Sequence, residues 1–283
     1  MNSRTHALLE RHPCYTEAAR ADVGRMHLAV APKCNLGCRY CERAIGDRAE
    51  RMGGPGSATR VLTPPEAAER VDKLVAEGWL RVVGIAGPGE PLANTATVET
   101  FRLIHATHPD LVLCMSTNGL LLESALPNLL EAGLRSLTIT INTTQRETAA
   151  RLYAWAVIEG RRLYGPEAAD EVLTRQWSGL AAAAEAGLLV KVNSVLVPGL
   201  NEADLQAVAR RAAAFGAHRH NIMPLIPRGR MRGWRAPTGR ELEKVRLECE
   251  PWLSQFRACS QCRADVIAPP LGAKGVLRCG VCV

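Results

Sequence analysis

The sequence predicts an α/β protein in which strands and helices alternate, so that parallel βα units build a barrel or a doubly wound sheet. Three observations carry this. Six short apolar, β-branched runs recur: Met26 to Ala31, Arg81 to Ala86, Leu111 to Ser116, Ser136 to Ile141, Val190 to Leu196 and His220 to Pro224. Helix-forming segments lie at Val98 to His105, Ala168 to Ala186 and Ala203 to Phe215. The first interval holds a full helix-start signal, with Thr63 as N-cap, Pro64 opening the helix, Glu66 completing a capping box and Gly78 past the end.

At 283 residues, with 47% hydrophobic and 22% charged residues, the chain suits one large core or two small ones. No stretch approaches the ~18 consecutive apolar residues of a membrane span. The start, Met1 to His6, lacks a basic-then-apolar secretory pattern, so a cytoplasmic location is expected. Ten cysteines are too many for an ordinary intracellular core and too sparse for a small disulfide scaffold; in a reducing compartment they point to metal. The net charge is +7, but only Arg228, Arg230, Arg232 and Arg235 around Trp234 form a basic cluster with an aromatic. With aromatics at 4%, neither nucleic acid nor membrane is an expected partner. Metal-bound thiolates would also cancel some of the formal charge.

In either architecture the chemistry belongs where loops leave the carboxyl ends of the strands. Cys114, Ser116 and Asn118 share one strand face, and Thr138, Thr140 and Asn142 repeat the pattern on the next. Unpartnered polar groups facing inward cost free energy, which favours a polar, ligand-filled interior. Thr138 alone is read as an internal hydrogen-bonding residue. Beyond Pro227 the composition turns to Arg, Gly and Pro, then a helix from Gly239 to Ser254, then a cysteine-rich tail. The expected division is an extension over 1–25, a barrel over 26–227 and an appendage over 228–283 that closes the barrel.

After the first strand comes Cys34-Asn35-Leu36-Gly37-Cys38-Arg39-Tyr40-Cys41. Three thiolates can hold three irons of a 4Fe-4S cluster and leave the fourth iron open for a ligand. Zinc would ordinarily take four closed ligands, or a His or carboxylate among three, so this spacing favours iron-sulfur.

This run resembles the signature of the radical S-adenosylmethionine (SAM) superfamily. The resemblance implies that the open iron chelates SAM, that an electron from the cluster cleaves the sulfonium to a 5'-deoxyadenosyl radical, and that the barrel is a partial one of six βα units. Gly87-Pro88-Gly89-Glu90-Pro91 looks like the superfamily's element for the SAM amino group. By the same resemblance Tyr40, Gly87, Gly89, Glu90, Ser116, Asn118, Asn142, Asn193 and Met223 are the expected SAM contacts.

The likeness narrows to one family over about residues 11 to 267. His12-Pro13-Cys14, Met26 to Pro32, Gly84 to Gly89, Cys114 to Gly119, Val192 to Val195, Asn221 to Leu225 and Cys259 to Asp265 resemble the NifB family of nitrogenase cofactor maturases. That resemblance implies two further 4Fe-4S clusters, bound as substrates and fused into a carbide-centred eight-iron precursor. One SAM supplies a methyl group and a second supplies the radical. Implied ligands are His12 and Cys14 at the amino end, with Cys114, Cys259 and Cys262. Implied partners are an iron-sulfur donor, an electron donor and a downstream carrier or scaffold. The family's additional cysteine after the three-cysteine run is missing from Arg43 to Arg51, which leaves Asp47 or Glu50 as weaker candidate ligands.

Alternatives remain at this level. Cys259, Cys262, Cys279 and Cys282 also satisfy a four-cysteine zinc spacing. A radical peptide maturase with an auxiliary cluster, or an iron-sulfur scaffold that does not cleave SAM, would use similar cysteines. Cys249 reads as a buried thiol, His218 and His220 as strand-edge or core histidines, Trp155 and Trp177 as helix-packing residues, and His27 as a strand residue rather than a site residue.

Overall fold

The computed structural model describes residues 3–271. The chain opens with α1 (Ser3–Arg11) and α2 (Glu17–Asp22), then enters the sheet through β1 (Gly24–His27). Short elements follow: β2 (Leu36–Cys38), β3 (Ala44–Ile45), α3 (Asp47–Met52) and β4 (Ser57–Ala58). Regular units come next, as α4 (Pro64–Ala76), β5 (Leu80–Ile85), α5 (Ala96–Thr107), β6 (Val112–Thr117), α6 (Leu122–Glu131) and β7 (Leu134–Thr140). An insertion of α7 (Arg146–Leu152), β8 (Tyr153–Ile158) and β9 (Arg161–Leu163) precedes α8 (Gly165–Glu185), β10 (Leu189–Leu196), α9 (Leu205–Ala214) and β11 (Arg219–Pro224). The described chain closes with α10 (Gly239–Cys249) and β12 (Ile267–Ala268).

The main sheet runs β11-β10-β7-β6-β5-β1-β12. Six parallel strands form as expected, although the first occupies Gly24–His27 instead of Met26 to Ala31, and β12 adds an antiparallel edge beside β1. The expected helix after β1 forms as α4, with both halves of the capping box between Thr63 and Glu66 in place. One apolar core fills the space between sheet and helices, joining Phe101, Ile104, Leu122, Trp177, Leu180 and Val208 to Val83, Leu113, Leu137 and Val190. Burial of each large side chain contributes about 1.5–3 kcal/mol. Alternation along β6 turns Leu113 into that core and Cys114 and Ser116 to the opposite, concave face.

Three features depart from the sequence-based expectations. Helix α6 carries Pro127 in its interior, which removes a backbone donor and hides the helix from a composition search. The hairpin β8-β9 has no counterpart among the expected elements. Its two-residue turn, Glu159-Gly160, has positive φ at both positions (50° and 78°), as a type I′ turn requires. This hairpin pairs with β2, so Trp155 lies on a strand: its ring packs on Gly37, with the Arg162 guanidinium 4.6 Å from its centroid. Trp155 therefore does not pack helices, whereas Trp177 of α8 does, 5.9 Å from Phe215.

The tail crosses the open side of the sheet. At one edge His220 donates its backbone N–H to Ser254 and accepts from Phe256. At the other, Arg25 and Met26 of β1 pair with Ala268 and Ile267. Residues between these anchors, Cys259 and Cys262 among them, thus span from β11 to β1. At the opposite end of the chain, the Tyr15 hydroxyl lies 2.9 Å from the carbonyls of both Leu137 and Leu189, which fastens the amino-terminal segment beneath β7 and β10.

Candidate iron-sulfur and SAM site

The three-cysteine loop is held from both sides. Gly89 N–H donates to Ala31 and Glu90 N–H to the Lys33 carbonyl, and a Cβ at Gly89 would lie 2.2 Å from that carbonyl, so only glycine allows this approach. On the other side Asn35 accepts from Val157 N–H, and Arg39 N–H donates to Leu152. Burial raises all three thiols: Cys34 is pushed up, Cys41 reaches about 11, and Cys38 is pushed well up, with Cys41 and Cys34 adding to the effect. They are protonated at neutral pH, so iron must displace their protons on binding. The donor set, three sulfurs from one loop with mutual electrostatic contact, fits the three-thiolate cluster chemistry.

A cavity of about 280 Å³ runs along the concave face of the sheet. It is walled by residues at every second position: Cys114 and Ser116 on β6, Ser136, Thr138 and Thr140 on β7, Lys191, Asn193 and Val195 on β10. From Ser136 to Thr140 this covers about 13 Å of strand. Tyr40, Cys41 and Glu42 border it too, as do His12, Cys14, Cys259 and Cys262. Among the described residues no three His, Cys, Asp or Glu side chains converge on a point suited to a single metal ion. Cys279 and Cys282, and with them the four-cysteine zinc reading, lie outside the described residues.

Of the expected SAM contacts, Tyr40, Ser116, Asn193 and Met223 line this cavity. Glu90 is buried behind it. Its carboxylate accepts from the Thr117 hydroxyl at 2.5 Å, Asn118 N–H at 2.7 Å and Leu92 N–H at 3.1 Å, and burial lifts its pKa to about 7. The carboxylate is thus committed to the chain and shapes the exit of β6, rather than standing open to an ammonium group. Gly87, Gly89 and Asn118 belong to the same frame behind the wall, with the Asn118 amide donating to Asn35 Oδ1 at 2.8 Å. Asn142 is also occupied: Nδ2 donates to the hydroxyls of Tyr40 and Tyr153, and Oδ1 accepts from Val195 N–H.

A second group of sulfurs lies deeper. Register places Cys114 level with Ser136 and with Leu189, the first residue of β10, three residues before β6 ends. Cys14 feels Cys262 and Cys259, and Cys114 feels Cys14; burial raises both thiols while Lys191 and Arg25 oppose it. His12 is 1% exposed, and burial with Lys191, Arg25 and His27 lowers it to about 3, so it is neutral. Its Nδ1 accepts from Cys14 N–H at 3.1 Å, and its buried Nε2 has no protein partner among the described residues. An orphaned imidazole nitrogen beside thiols fits a metal-ligating role.

His27 is a site neighbour that sequence reasoning passes over. It lines the cavity, its Nδ1 lies 3.1 Å from the Arg263 carbonyl, and burial lowers it to about 4. Lys191 is missed in the same way, although a lysine inside an apolar run is an available signal. Asp47 and Glu50 are exposed on α3 and do not line the cavity, so neither is placed to replace the missing cysteine. The arginine cluster is largely spent internally: Arg228 donates to Gly53 and Met52, Arg232 to Glu42 and Arg235 to Glu241. Cys249 is a buried thiol, and His218 and His220 sit on β11 or its edge.

A six-stranded parallel half-barrel with a Cys-x3-Cys-x2-Cys loop after its first strand defines the class, and the profile of the radical SAM superfamily matches residues 28–212. The solved SuiB of Streptococcus suis shares the fold, with a TM-score of 0.59 at 12% identity over 92% of this chain and 56% of that one. The relatives are more specific. "FeMo cofactor biosynthesis protein NifB" of Methanocaldococcus infernus is 38% identical over 94% of this chain and 87% of its own length. The protein of the same name from Klebsiella pneumoniae is 44% identical over 90% of this chain, which spans 56% of that protein. The chain belongs to the radical SAM superfamily and, within it, to the NifB family. Among the described residues no helix is long and apolar enough to cross a membrane.

Proposed function

We propose that this chain is a nitrogenase cofactor maturase that fuses two 4Fe-4S substrate clusters into a carbide-centred eight-iron precursor, with SAM as methyl donor and radical source. One observation carries the reading: a single cavity joins Cys41 of the three-cysteine loop to Cys14, Cys114, Cys259 and Cys262. Chemistry begun at one end therefore reaches iron held at the other through one continuous cavity. The names of the relatives support the same assignment.

Cys34, Cys38 and Cys41 are the residues to hold the resident cluster. When bound, that cluster with SAM supplies one-electron cleavage of the sulfonium. Ser116, Thr138, Thr140 and Asn193 offer the hydrogen-bonding wall against which SAM lies, with Tyr40 and Met223 at its borders. Glu90 and Asn142 hold that wall in shape from behind. His12 and Cys14 are coupled: ligation through Nε2 moves the imidazole proton to Nδ1 and breaks the bond from Cys14 N–H. With no cysteine in Arg43 to Arg51, the amino-terminal substrate site is the weaker of the two. An iron-sulfur donor, an electron donor and a carrier that takes the product are the partners this activity requires.

The test is anaerobic reconstitution of the full chain with isotope-labelled SAM. Replacing Cys34, Cys38 and Cys41 together by Ala should abolish 5'-deoxyadenosine formation and lower iron by about 4 atoms per chain. Persistent turnover by that variant overturns the radical assignment. A wild-type chain that cleaves SAM yet leaves no methyl carbon in the extracted cluster overturns the fusion reading alone.

A further inference from the structure

Lys191 is 4% exposed, on β10, the strand next to the β11 edge of the sheet, facing the cavity. Its ammonium donates to the Cys14 carbonyl at 2.9 Å and lies 5.2 Å from the ring centroids of Tyr15 and Phe256. Among the described residues no carboxylate pairs with it. A buried ammonium costs several kcal/mol unless opposite charge compensates it. Anchoring one carbonyl explains a donor but not a full positive charge, since a neutral amide would serve.

What surrounds Lys191 supplies the missing half. Its charge acts on His12, Cys14, Cys114 and His27, all cavity-lining groups. Arg25, 5% exposed on the far strand β1, acts on the same groups and points Nη2 at Cys262 Sγ, 3.9 Å away. Each thiol that ligates iron gives up a proton, so a cluster bound here adds negative charge inside a poorly screened cavity.

We propose that Lys191, assisted by Arg25, is the counter-charge for the anionic iron-sulfur cluster held at Cys114, Cys259 and Cys262, beside the His12 and Cys14 site, and sets that cluster's affinity and reduction potential. This rests on the reading of that end of the cavity as a cluster site. Two cations, on strands near opposite edges of the sheet, favour the more reduced, more negative state and slow its escape. The thiol-rich end is thereby built to retain a cluster that few protein ligands hold.

The experiment uses the full chain with Cys34, Cys38 and Cys41 replaced by Ala, so that iron signals come from the deeper sulfurs alone. Lys191→Gln keeps a hydrogen-bond donor and removes the charge; Lys191→Arg keeps the charge. After anaerobic reconstitution, the Gln variant should lose iron to a chelator at least tenfold faster and show a more negative midpoint potential, with the Arg variant within about twofold of its parent. Equal loss rate and equal potential in the Gln variant overturn the inference. If Lys191→Gln fails to fold by circular dichroism, Arg25→Gln decides the question: the same shifts are expected, and unchanged values overturn the inference. A parent chain that binds no cluster at all overturns the cluster site itself, and this inference with it.

Discussion

Asn142 holds Tyr40: the amide nitrogen at the end of β7 donates to the phenol of the cysteine loop at 2.9 Å. The same side chain reaches Tyr153 at 3.0 Å and takes Val195 N–H at 2.8 Å, so one buried amide ties the loop, the β8 hairpin and β10 together. Asn142→Leu leaves two phenols and an N–H without their partner. The expected cost is about 1–3 kcal/mol, read from the urea midpoint at unchanged slope. A variant as stable as its parent means that the three partners find water instead.

Glu90→Ala removes the acceptor of three donors and releases the exit of β6. SAM affinity should fall about tenfold, equivalent to about 1.4 kcal/mol, while iron in the three-cysteine loop stays constant. Calorimetry at fixed iron content checks this. Unchanged affinity shows that the frame behind the wall does not shape the binding surface.

Acid sensitivity has an assignable source in His220. Burial lowers its pKa to about 3, with Ser194 Oγ 2.9 Å from Nε2 and no partner for Nδ1 among the described residues. The unfolded chain takes up this proton below about 6.5 and the folded chain only near 3, so the stability it contributes is complete above 6.5 and declines as pH falls through that window. Between pH 8 and pH 5 the loss is roughly 2 kcal/mol. His220→Gln should narrow the gap between urea midpoints at these two pH values by about that amount; His12 and His27, also lowered, account for the dependence that persists.

Iron stoichiometry tests the missing cysteine. Three four-iron clusters correspond to about 12 atoms per chain and two to about 8, and reconstitution should reach the lower figure more readily. Asp47→Cys is the natural repair on sequence grounds. Because Asp47 is exposed on α3 outside the cavity, the substitution should leave the count unchanged; a gain of about 4 iron atoms would mean that α3 swings inward on loading.

Much of this architecture is legible in the sequence because parallel strands buried on both faces read as apolar runs, and because three cysteines at fixed spacing have few chemical uses. The hydrogen-bonding state of Glu90 is not legible: only the fold brings Thr117 and the N–H of Asn118 to its carboxylate. Helix α6 is masked by Pro127, and β2 with its hairpin by short strands whose pairing is long-range. Trp155 misleads because a strand-borne tryptophan packed on glycine has no helical periodicity. Lys191 hides inside a run that stands out for its apolar neighbours.

The crossing tail also sets an order of events. Met26 meets Ile267 only after roughly 240 further residues have been made, which at about 5–20 residues per second takes roughly 10 to 50 seconds. Through that interval the concave face lacks Cys259 and Cys262, and the groove beside Cys114 stands open along one side. A nascent chain can thus offer Cys34, Cys38 and Cys41 to iron long before it can enclose anything. Retention of cargo is deferred until synthesis is nearly complete, and a chain truncated before residue 255 keeps the half-barrel strands but cannot shut the chamber.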